Sequence, residues 1–228
     1  MDLYHALNRG VDKREILLDS QDYARFVHDL FEFNDTKPAG STYYSFRQAR
    51  EYVPDILDLR NPDIIKPRER LVDIHGWCLM KNHYHLLLSE RRAGGVTQFL
   101  RKLNVGYANY FNERYARSGA LFQGRTKKVL VEREVHFLYI LHYLHLNPLD
   151  YHTDTRSWRE GALSNSRKAL QYLNAYRWSS YLDYVGEKNF PSILTTSLFS
   201  DSLSAYKKDF IAYLKDLGPA TMPSQPLE

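Results

Sequence analysis

Hydrophobic positions along the chain form two kinds of pattern, short continuous runs and helical spacing. Short apolar runs bounded by polar residues predict strands, and "RLVDIHGWCLM" and "HYHLLLSE" are two such runs separated by Lys81 and Asn82. Apolar residues at helical spacing predict amphipathic helices, of which "GGVTQFLRKLNVGYANYFNERY" is the longest. The predicted strands cover 3–11, 70–80, 83–90 and 126–131, and the predicted helices cover 19–33, 94–115 and 134–147.

The order of these elements is strand, helix, strand, strand, helix, strand and helix. This order is typical of an α+β fold of the ferredoxin-like type, a sandwich with a central antiparallel sheet and helices on its faces. The last of the helices is expected to end near Asn147, because Pro148 disfavours helical geometry in the residue before it.

Residues 1–150 contain all of these elements and are predicted to form one domain. Within it, residues 34–70 carry four prolines and many charges, which indicates an inserted and partly irregular segment with one short helix near 46–53. Residues 151–216 are interpreted as a C-terminal extension that packs on the domain and contains a terminal helix. The end of the chain, 217–228, is expected to be flexible.

Composition narrows the class of protein. No apolar run approaches the roughly 20 residues that a membrane helix needs, and the N-terminus lacks the pattern of a secretory signal. Cys78 is the single cysteine. An intramolecular disulfide and a cysteine metal cage are therefore excluded, which favours a reducing compartment and most simply the cytoplasm.

Positive charge is concentrated in one window. The net charge is +4, but residues 91–133 hold ten Lys or Arg against two Glu. One interpretation is a solvated helix face followed by a basic loop. The other is a track for a polyanion, with aromatic residues interleaved. The candidate phosphate-binding cations are Arg101, Lys102, Arg125, Lys127 and Lys128.

Two histidines, His83 and His85, stand one residue apart in the apolar strand 83–90. Residues two apart in a strand point to the same face, so both imidazoles can chelate one divalent ion. Packed, hydrogen-bonded histidines are the plainer interpretation of such a pair. Tyr143 and Asn147 lie one helical turn apart on the helix 134–147, and Asn147 could add an oxygen ligand.

These four side chains suggest phosphodiester chemistry if they meet. A metal ion polarises a phosphodiester and neutralises developing charge. Attack by Tyr143 would give a covalent phosphotyrosine and conserve the energy of the bond, so a second strand could be joined without ATP. Simple hydrolysis needs no covalent step. His136, His142 and His145 could assist proton transfer, and helical geometry does not single one out.

Six stretches of the sequence occur in an order that resembles the single-tyrosine HUH transposases, and among them the REP-associated tyrosine transposases of bacteria. The resemblance covers roughly 3–33 and 71–185 and is carried by "YHALNRG", "DYARF", "GWCLMKNHYHLLLSE", "NYFNERYARSGALFQGRTKKVLVE", "YILHYLHLNPLD" and "YRWSSY". The segment 34–70 and the chain after Tyr184 depart from the pattern.

The resemblance implies a function and assigns roles to the candidate residues. It makes His83-Tyr84-His85 the HUH motif, Tyr143 the nucleophile and Asn147 the third metal ligand. It implies Mg²⁺ or Mn²⁺ as cofactor and cleavage of single-stranded DNA next to a hairpin, with the protein joined to the 5′ end. A ferredoxin-like fold with the HUH strand in the centre of the sheet is implied as well.

Three hypotheses remain open at this point. The protein is an active DNA transesterase, a module of the same fold that binds hairpin DNA without cutting it, or a metalloenzyme that acts on a small molecule. The sequence also leaves open whether the protein is a monomer or a homodimer, and whether Tyr143 serves its own subunit or a partner's.

Overall fold

The structure, a computed structural model, describes residues 2–38, 68–131 and 134–217, without the side chains of 134–138 and 200–204. Most of the inserted segment, the short helix expected near 46–53 and the end of the chain after residue 217 lie outside the described residues. Within the described ranges, no helix combines the length and the hydropathy needed to cross a membrane.

In the described part of the chain, four antiparallel strands form an open sheet. Across the sheet they follow the order β2 (Val72–Met80), β3 (His83–Glu90), β1 (Leu3–Arg9) and β4 (Lys127–Leu130). The strand that carries the two histidines is therefore central, next to the first strand of the chain. This α+β arrangement with the ferredoxin-like strand order confirms the fold predicted from the order of elements.

Helices α1 (Ser20–Glu32) and α2 (Gly95–Arg114) cover one face of the sheet. Asp19 caps the start of α1, because its carboxylate accepts hydrogen bonds from the backbone N–H groups of Gln21 and Asp22. The space between these helices and the sheet is filled by aliphatic and aromatic side chains. This first core includes Phe26, Val27, Leu30, Trp77, Tyr84, Leu86, Phe99, Leu103 and Tyr107.

A glycine inside α2 has a packing role. A Cβ atom at Gly106 would lie 2.1 Å from Cζ of Phe33, the residue that ends α1. Glycine costs a helix interior about 1 kcal/mol relative to alanine. The close approach of the Phe33 ring to the backbone of α2 explains why that cost is tolerated here.

Helix α3 (Glu134–Leu146) covers the opposite face of the sheet and continues into a short 3₁₀ turn, Asn147–Tyr151. The α-helix ends immediately before Asn147, close to the position that Pro148 predicts. Helices from the C-terminal part of the chain pack around α3, and together they form a second core that reaches Leu87 of β3. These helices are α4 (Ser166–Ala175), α5 (Tyr181–Tyr184) and α6 (Ser200–Lys215).

The C-terminal part also pairs with the outer edge of β2. The backbone N–H of Ser180 donates to the carbonyl of Trp77, and the N–H of Leu79 donates to the carbonyl of Trp178. An uncovered edge strand would present unpaired backbone groups to other chains. The residues after 150 therefore contact the sheet directly, while the division of the chain into a domain and an extension stays a prediction.

Candidate active site

His83 and His85 project from β3 onto the face of the sheet that α3 covers. The register of β3 with β1 places Arg9 opposite His83 and Leu7 opposite His85. Paired residues of an antiparallel sheet share a face, as do residues two apart along one strand. The two imidazoles are neighbours, with ring centroids 4.9 Å apart.

A third histidine, His5 of β1, lies beside this pair. Its ring stacks on that of His85 with centroids 5.2 Å apart, and Nε2 of His5 lies 3.0 Å from Nδ1 of His85, within hydrogen-bond distance. The sequence pattern does not single out His5, because the pattern of one strand does not reveal which strand lies next to it. The β1–β3 register is the signal that brings it into the site.

A neighbouring amide fixes the tautomer of His83. Nδ1 of His83 lies 2.6 Å from Oδ1 of Asn82, while Nδ2 of Asn82 donates to the carbonyl of Lys13, consistent with this orientation of the amide. An amide oxygen accepts hydrogen bonds and donates none, so Nδ1 of His83 carries a hydrogen, and in the neutral ring the lone pair is on Nε2. A bond of this kind orients an imidazole for metal binding through its other nitrogen.

His85 is completely buried. Burial holds the pKa of His85 well below its ordinary value, and the neighbouring basic groups His83, His5, Arg159 and Arg9 act in the same direction, because a protonated His85 would lie beside them. The ring is consequently neutral at pH 7. Neutral imidazole is the form that binds a metal ion.

Helix α3 carries Tyr143 over these rings. The Tyr143 ring meets His85 edge-on with centroids 5.9 Å apart, and it meets His5 in the same geometry at 6.1 Å. The tyrosine is only 4% exposed. The phenol and the imidazoles, which are distant in sequence, are thus brought into one buried cluster.

A glycine in β2 allows α3 to lie this close to the sheet. A Cβ atom at Gly76 would be 2.9 Å from Cδ1 of Leu141 and 3.3 Å from Cδ2 of Leu144. These two leucines flank Tyr143 on α3. The depth at which they pack against β2 therefore sets the height of the phenol above the histidines.

Tyr143 and Asn147 share one hydrogen-bond partner, Arg159. Nη1 of Arg159 donates to the hydroxyl of Tyr143 at 3.0 Å, and Nη2 donates to Oδ1 of Asn147 at 2.7 Å. The carboxylate of Asp150 holds the guanidinium in place, since its Oδ2 accepts from Nη2 at 2.7 Å and from Nε at 3.0 Å. Arg159 lies on a 3₁₀ turn in the part of the chain to which the sequence assigns no role.

The charge of Arg159 is secured by its surroundings. Burial opposes the charge, but Asp150 and the phenol of Tyr143 outweigh it and raise the pKa of Arg159 above its ordinary value. The guanidinium also lies over the indole ring of Trp158, 4.7 Å from its centroid, in a cation–π arrangement. A permanent positive charge beside the Tyr143 oxygen stabilises negative charge that develops on it.

The amide of Asn147 has a defined orientation. Its Nδ2 donates to the backbone carbonyl of Tyr143 at 2.8 Å, which turns Oδ1 toward Arg159. The oxygen that the sequence nominates as a metal ligand is therefore hydrogen-bonded to a guanidinium in this structure.

The predicted metal ligands are of the types that bind a divalent ion only partly enclosed by protein. In the described ranges, no group of three or more His, Cys, Asp or Glu side chains is arranged to hold a metal ion. His83, His85 and the amide oxygen of Asn147 would supply two nitrogens and one oxygen and leave positions for substrate oxygens. Mg²⁺ prefers oxygen ligands and imidazole suits transition metals, so this mixed set suits Mn²⁺ better than Mg²⁺.

Two further histidines of α3 lie away from the phenol. His145 is bonded to the hydroxyl of Tyr206 at 2.6 Å and to the hydroxyl of Ser180 at 2.8 Å, on the side of α3 that faces the C-terminal helices. His142 packs against Tyr206, Phe210 and Tyr213. Neither is placed to take the Tyr143 proton, and the side chain of His136 lies outside the described residues.

The cations of β4 separate onto the two faces of the sheet. Lys127 pairs with Leu7 on the histidine face, and Lys128 pairs with Ala6 on the α1–α2 face. There Nζ of Lys128 donates to the hydroxyl of Thr97 at 2.7 Å.

The remaining predicted cations lie on α2 or in the loop before β4. Lys102 donates to the backbone carbonyls of Asp35 and Lys37 at the end of the first described range. Arg101 is exposed on α2, and Arg125 is exposed in the loop beside Lys127. The structure thus brings Arg125 and Lys127 to the histidine face and leaves the other three elsewhere, and the DNA-binding role of all five stays a prediction.

No family model and no curated protein matches the sequence. Among solved structures, the chain is similar to a REP-associated tyrosine transposase bound to a REP hairpin, at 11% identity and a TM-score of 0.47, over 85% of this chain and 84% of the other. A similarity of this size gives no support to individual residue roles, which rest on the contacts described above.

Proposed function

We propose that the protein is a metal-dependent transesterase of single-stranded DNA that cleaves beside a hairpin and rejoins strands through a 5′-phosphotyrosine. The observation that carries the proposal is the position of Tyr143, whose ring contacts His5 and His85 while its hydroxyl is bonded to Arg159. The choice of hairpin DNA as substrate rests on the resemblance of the sequence motifs to the HUH transposases.

In the proposed reaction Tyr143 is the nucleophile. Its Oη forms a bond to the phosphorus of the scissile phosphodiester as the bond from phosphorus to the 3′ oxygen breaks. The phenol loses its proton and the departing 3′ oxygen gains one, which leaves a free 3′ hydroxyl and a DNA 5′ end joined to the protein. The reverse reaction with the 3′ hydroxyl of another strand restores Tyr143 and joins the two strands.

His83, His85 and the Asn147 oxygen are the residues that would hold Mg²⁺ or Mn²⁺. When bound, such an ion neutralises charge on the phosphate oxygens. The low pKa of buried His85 and the hydrogen bond from Nδ1 of His83 to Asn82 support this assignment, since a neutral imidazole oriented in this way offers a lone pair to a metal ion. Asn147 can contribute its oxygen once the Arg159 hydrogen bond is shared or released.

Arg159 is proposed to prepare Tyr143 for attack. Its guanidinium donates to the phenol oxygen and is itself held by Asp150. A donor already in place when charge develops needs no reorganisation during the reaction, which is the source of most electrostatic catalysis.

Two observations favour the alternative, a module that binds hairpin DNA without cutting it. Tyr143 is 4% exposed, and the Asn147 oxygen is occupied by Arg159. Cleavage requires DNA to reach the phenol, so the side chains that bury Tyr143 must move during catalysis. A binding module needs no such movement.

A labelled oligonucleotide separates the two functions. The substrate carries a palindromic hairpin taken from the neighbourhood of the native gene, with single-stranded flanks and a label at either the 3′ or the 5′ end. With Mn²⁺ and the wild-type protein, the 3′ label is expected to move with the protein on a denaturing gel, and the 5′ label is expected on a shortened free strand.

The matched variants are Tyr143→Phe, which should give neither product, and Tyr139→Phe, which should give both. Tyr139 is a second buried tyrosine of α3, with its ring centroid 6.1 Å from that of Tyr143. A wild-type protein that binds the hairpin but yields no adduct with either metal ion would contradict the transesterase and leave the binding module.

A further inference from the structure

A basic pocket lies beside the histidines on the same face of the sheet. It has a volume of about 350 Å³ and is formed by the end of β1, the start of β4 and the loop that precedes β4. Three of its six lining residues are cationic, and none of the six is acidic. The lining residues are Leu7, Asn8, Arg9, Gln123, Arg125 and Lys127.

The walls of this pocket are fixed by backbone hydrogen bonds. The N–H of Gln123 donates to the carbonyl of Arg9 at 2.7 Å, and the N–H of Val11 donates to the carbonyl of Leu121 at 2.9 Å. These bonds tie the loop before β4 to the end of β1, so Arg9 and Arg125 are carried by one rigid unit.

The loop is also anchored from the other side of the sheet. The hydroxyl of Thr126 accepts hydrogen bonds from Nδ2 of Asn8 at 3.2 Å and from Nδ2 of Asn104 at 2.7 Å. Tyr84 in turn donates to Oδ1 of Asn104 at 2.8 Å. The middle residue of the His-Tyr-His motif thus supports the pocket from the opposite face, and a preformed site loses less entropy on binding than a mobile one.

The strand register relates the pocket to the catalytic cluster. Lys127, Leu7 and His85 occupy one row across β4, β1 and β3, and Arg9 stands opposite His83 in the next row. Adjacent strands are about 4.8 Å apart, so Lys127 lies roughly 10 Å from the position of His85. One DNA strand can therefore contact the pocket and the cluster together.

We propose that this pocket holds one unpaired nucleotide of the single-stranded flank next to the scissile phosphate. Arg9, Arg125 and Lys127 would bind its phosphate, and Leu7 forms the apolar floor against which the sugar or base packs. The volume is at the lower end of the range of about 300 to 1,000 Å³ for small-ligand pockets, which suits one nucleotide and is too small for a duplex. The inference rests on the proposed function, because that function supplies the single-stranded DNA.

Lys127 and Lys128 offer a matched pair for the test. They are neighbours in sequence and both exposed, but they lie on opposite faces of β4. A broad basic track predicts that Lys127→Gln and Lys128→Gln lose similar amounts of DNA affinity. The pocket predicts that only Lys127→Gln loses DNA affinity.

The experiment measures the affinity of fluorescent oligonucleotides by anisotropy in EDTA at several salt concentrations. For a hairpin with a single-stranded flank, Lys127→Gln and Arg125→Gln should each weaken binding about 5- to 10-fold and reduce the salt slope by about 0.7. Lys128→Gln should change affinity less than about 2-fold, and all three variants should bind a hairpin without the flank as the wild type does.

Equal losses in Lys127→Gln and Lys128→Gln, or an equal loss on the hairpin without the flank, would overturn the pocket. So would a wild-type protein that does not bind the flanked hairpin. Binding in EDTA requires neither metal ion nor cleavage. Flank-dependent binding without adduct formation would therefore contradict the transesterase and leave the pocket standing.

Discussion

The middle residue of the His-Tyr-His motif and its two neighbours lie on opposite faces of the same strand. On the α1–α2 face, Tyr84 is buried against Phe26, with ring centroids 5.1 Å apart, and its hydroxyl is bonded to Asn104. On the α3 face, His83 and His85 meet polar and ionisable groups instead. The first face is mostly apolar, and its buried charges form ion pairs within and between the helices, Arg25 with Asp29 and Arg114 with Asp22. The second face gathers histidines, a phenol, an amide and a guanidinium in one cluster.

The two faces differ in how their buried polar groups are arranged. Burying polar groups costs stability unless they are hydrogen-bonded or paired, and the charges of the α1–α2 face are paired with each other. On the α3 face, Tyr143 and Asn147 are bonded to Arg159, and Asp150 neutralises the guanidinium. The four predictions that follow test whether the chemistry belongs to the α3 face alone.

The largest effect is expected from removing a ligand. Mutating a residue that only supports a metal ligand typically lowers metal affinity about 10- to 100-fold. His83→Ala removes a predicted ligand itself and should lower Mn²⁺ affinity by at least as much. His75→Ala is the control, because His75 is also buried but is bonded to Ser89 and to the carbonyl of Thr195. Titration calorimetry measures both, and unchanged Mn²⁺ affinity in His83→Ala would show that the ligand assignment is wrong.

A smaller loss is expected from changing the shape of the cation beside Tyr143. Arg159→Lys keeps the charge but loses the planar fork that reaches Tyr143 and Asn147 together, so the rate of adduct formation should fall about 10- to 100-fold. DNA affinity in EDTA should stay as in the wild type. Arg156→Lys, an exposed position on the same turn, is the control in a quenched-flow assay. Equal rates in the two variants would remove Arg159 from the mechanism.

Acid should destabilise the α3 face through its buried histidines. Burial lowers the pKa of His142 from 6.5 to about 4, with a smaller opposing contribution from Asp209. The unfolded chain takes up this proton near pH 6.5 and the folded protein only near pH 4. Stability is therefore complete above pH 6.5 and decreases as the pH falls, by about 2 kcal/mol for His142 between pH 7 and 5.

Urea denaturation at pH 7 and 5 measures this change. His142→Phe should remove about 2 kcal/mol of the pH dependence and leave the part due to other buried histidines, such as His145. The same pH dependence in the variant and the wild type would show that His142 already takes up its proton in the folded protein.

The smallest structural change, one added methyl group, compares one glycine on each face. Gly76→Ala and Gly106→Ala each place a methyl group against a packed side chain and should cost about 1 to 3 kcal/mol in unfolding free energy. At a temperature where both variants are folded, Gly76→Ala should also slow adduct formation, because it displaces the leucines on either side of Tyr143. A similar slowing in Gly106→Ala would show that the catalytic geometry depends on both faces.

The fold could be predicted from the sequence because apolar runs and helical patterns are clearly bounded by polar residues and turns. The two apolar runs joined by Lys81 and Asn82 form a hairpin, and the helix predicted over 134–147 ends within one residue of the expected position. Gly106 looks unfavourable when α2 is considered alone. Glycine is needed at this position because the ring of Phe33 packs against the backbone of α2. This tertiary contact cannot be recognised from the local sequence pattern.

The candidate site could be predicted only as far as short motifs reach. His83, His85, Tyr143 and Asn147 stand at recognisable spacings, and the structure brings the two motifs together. His5 and Arg159 carry no such spacing. His5 reaches the site because β1 pairs with β3, and Arg159 reaches it because its 3₁₀ turn folds back onto α3.

Mapping the covalent link tests the central claim most directly. The wild-type protein is incubated with the flanked hairpin and Mn²⁺, the DNA is digested, and tandem mass spectrometry locates the remaining nucleotide among the 18 tyrosines. We expect a nucleotide joined through its 5′ phosphate to Tyr143 and to no other residue. Attachment to a different tyrosine, or turnover of the DNA without any linked peptide, would contradict the assignment of Tyr143 as the nucleophile.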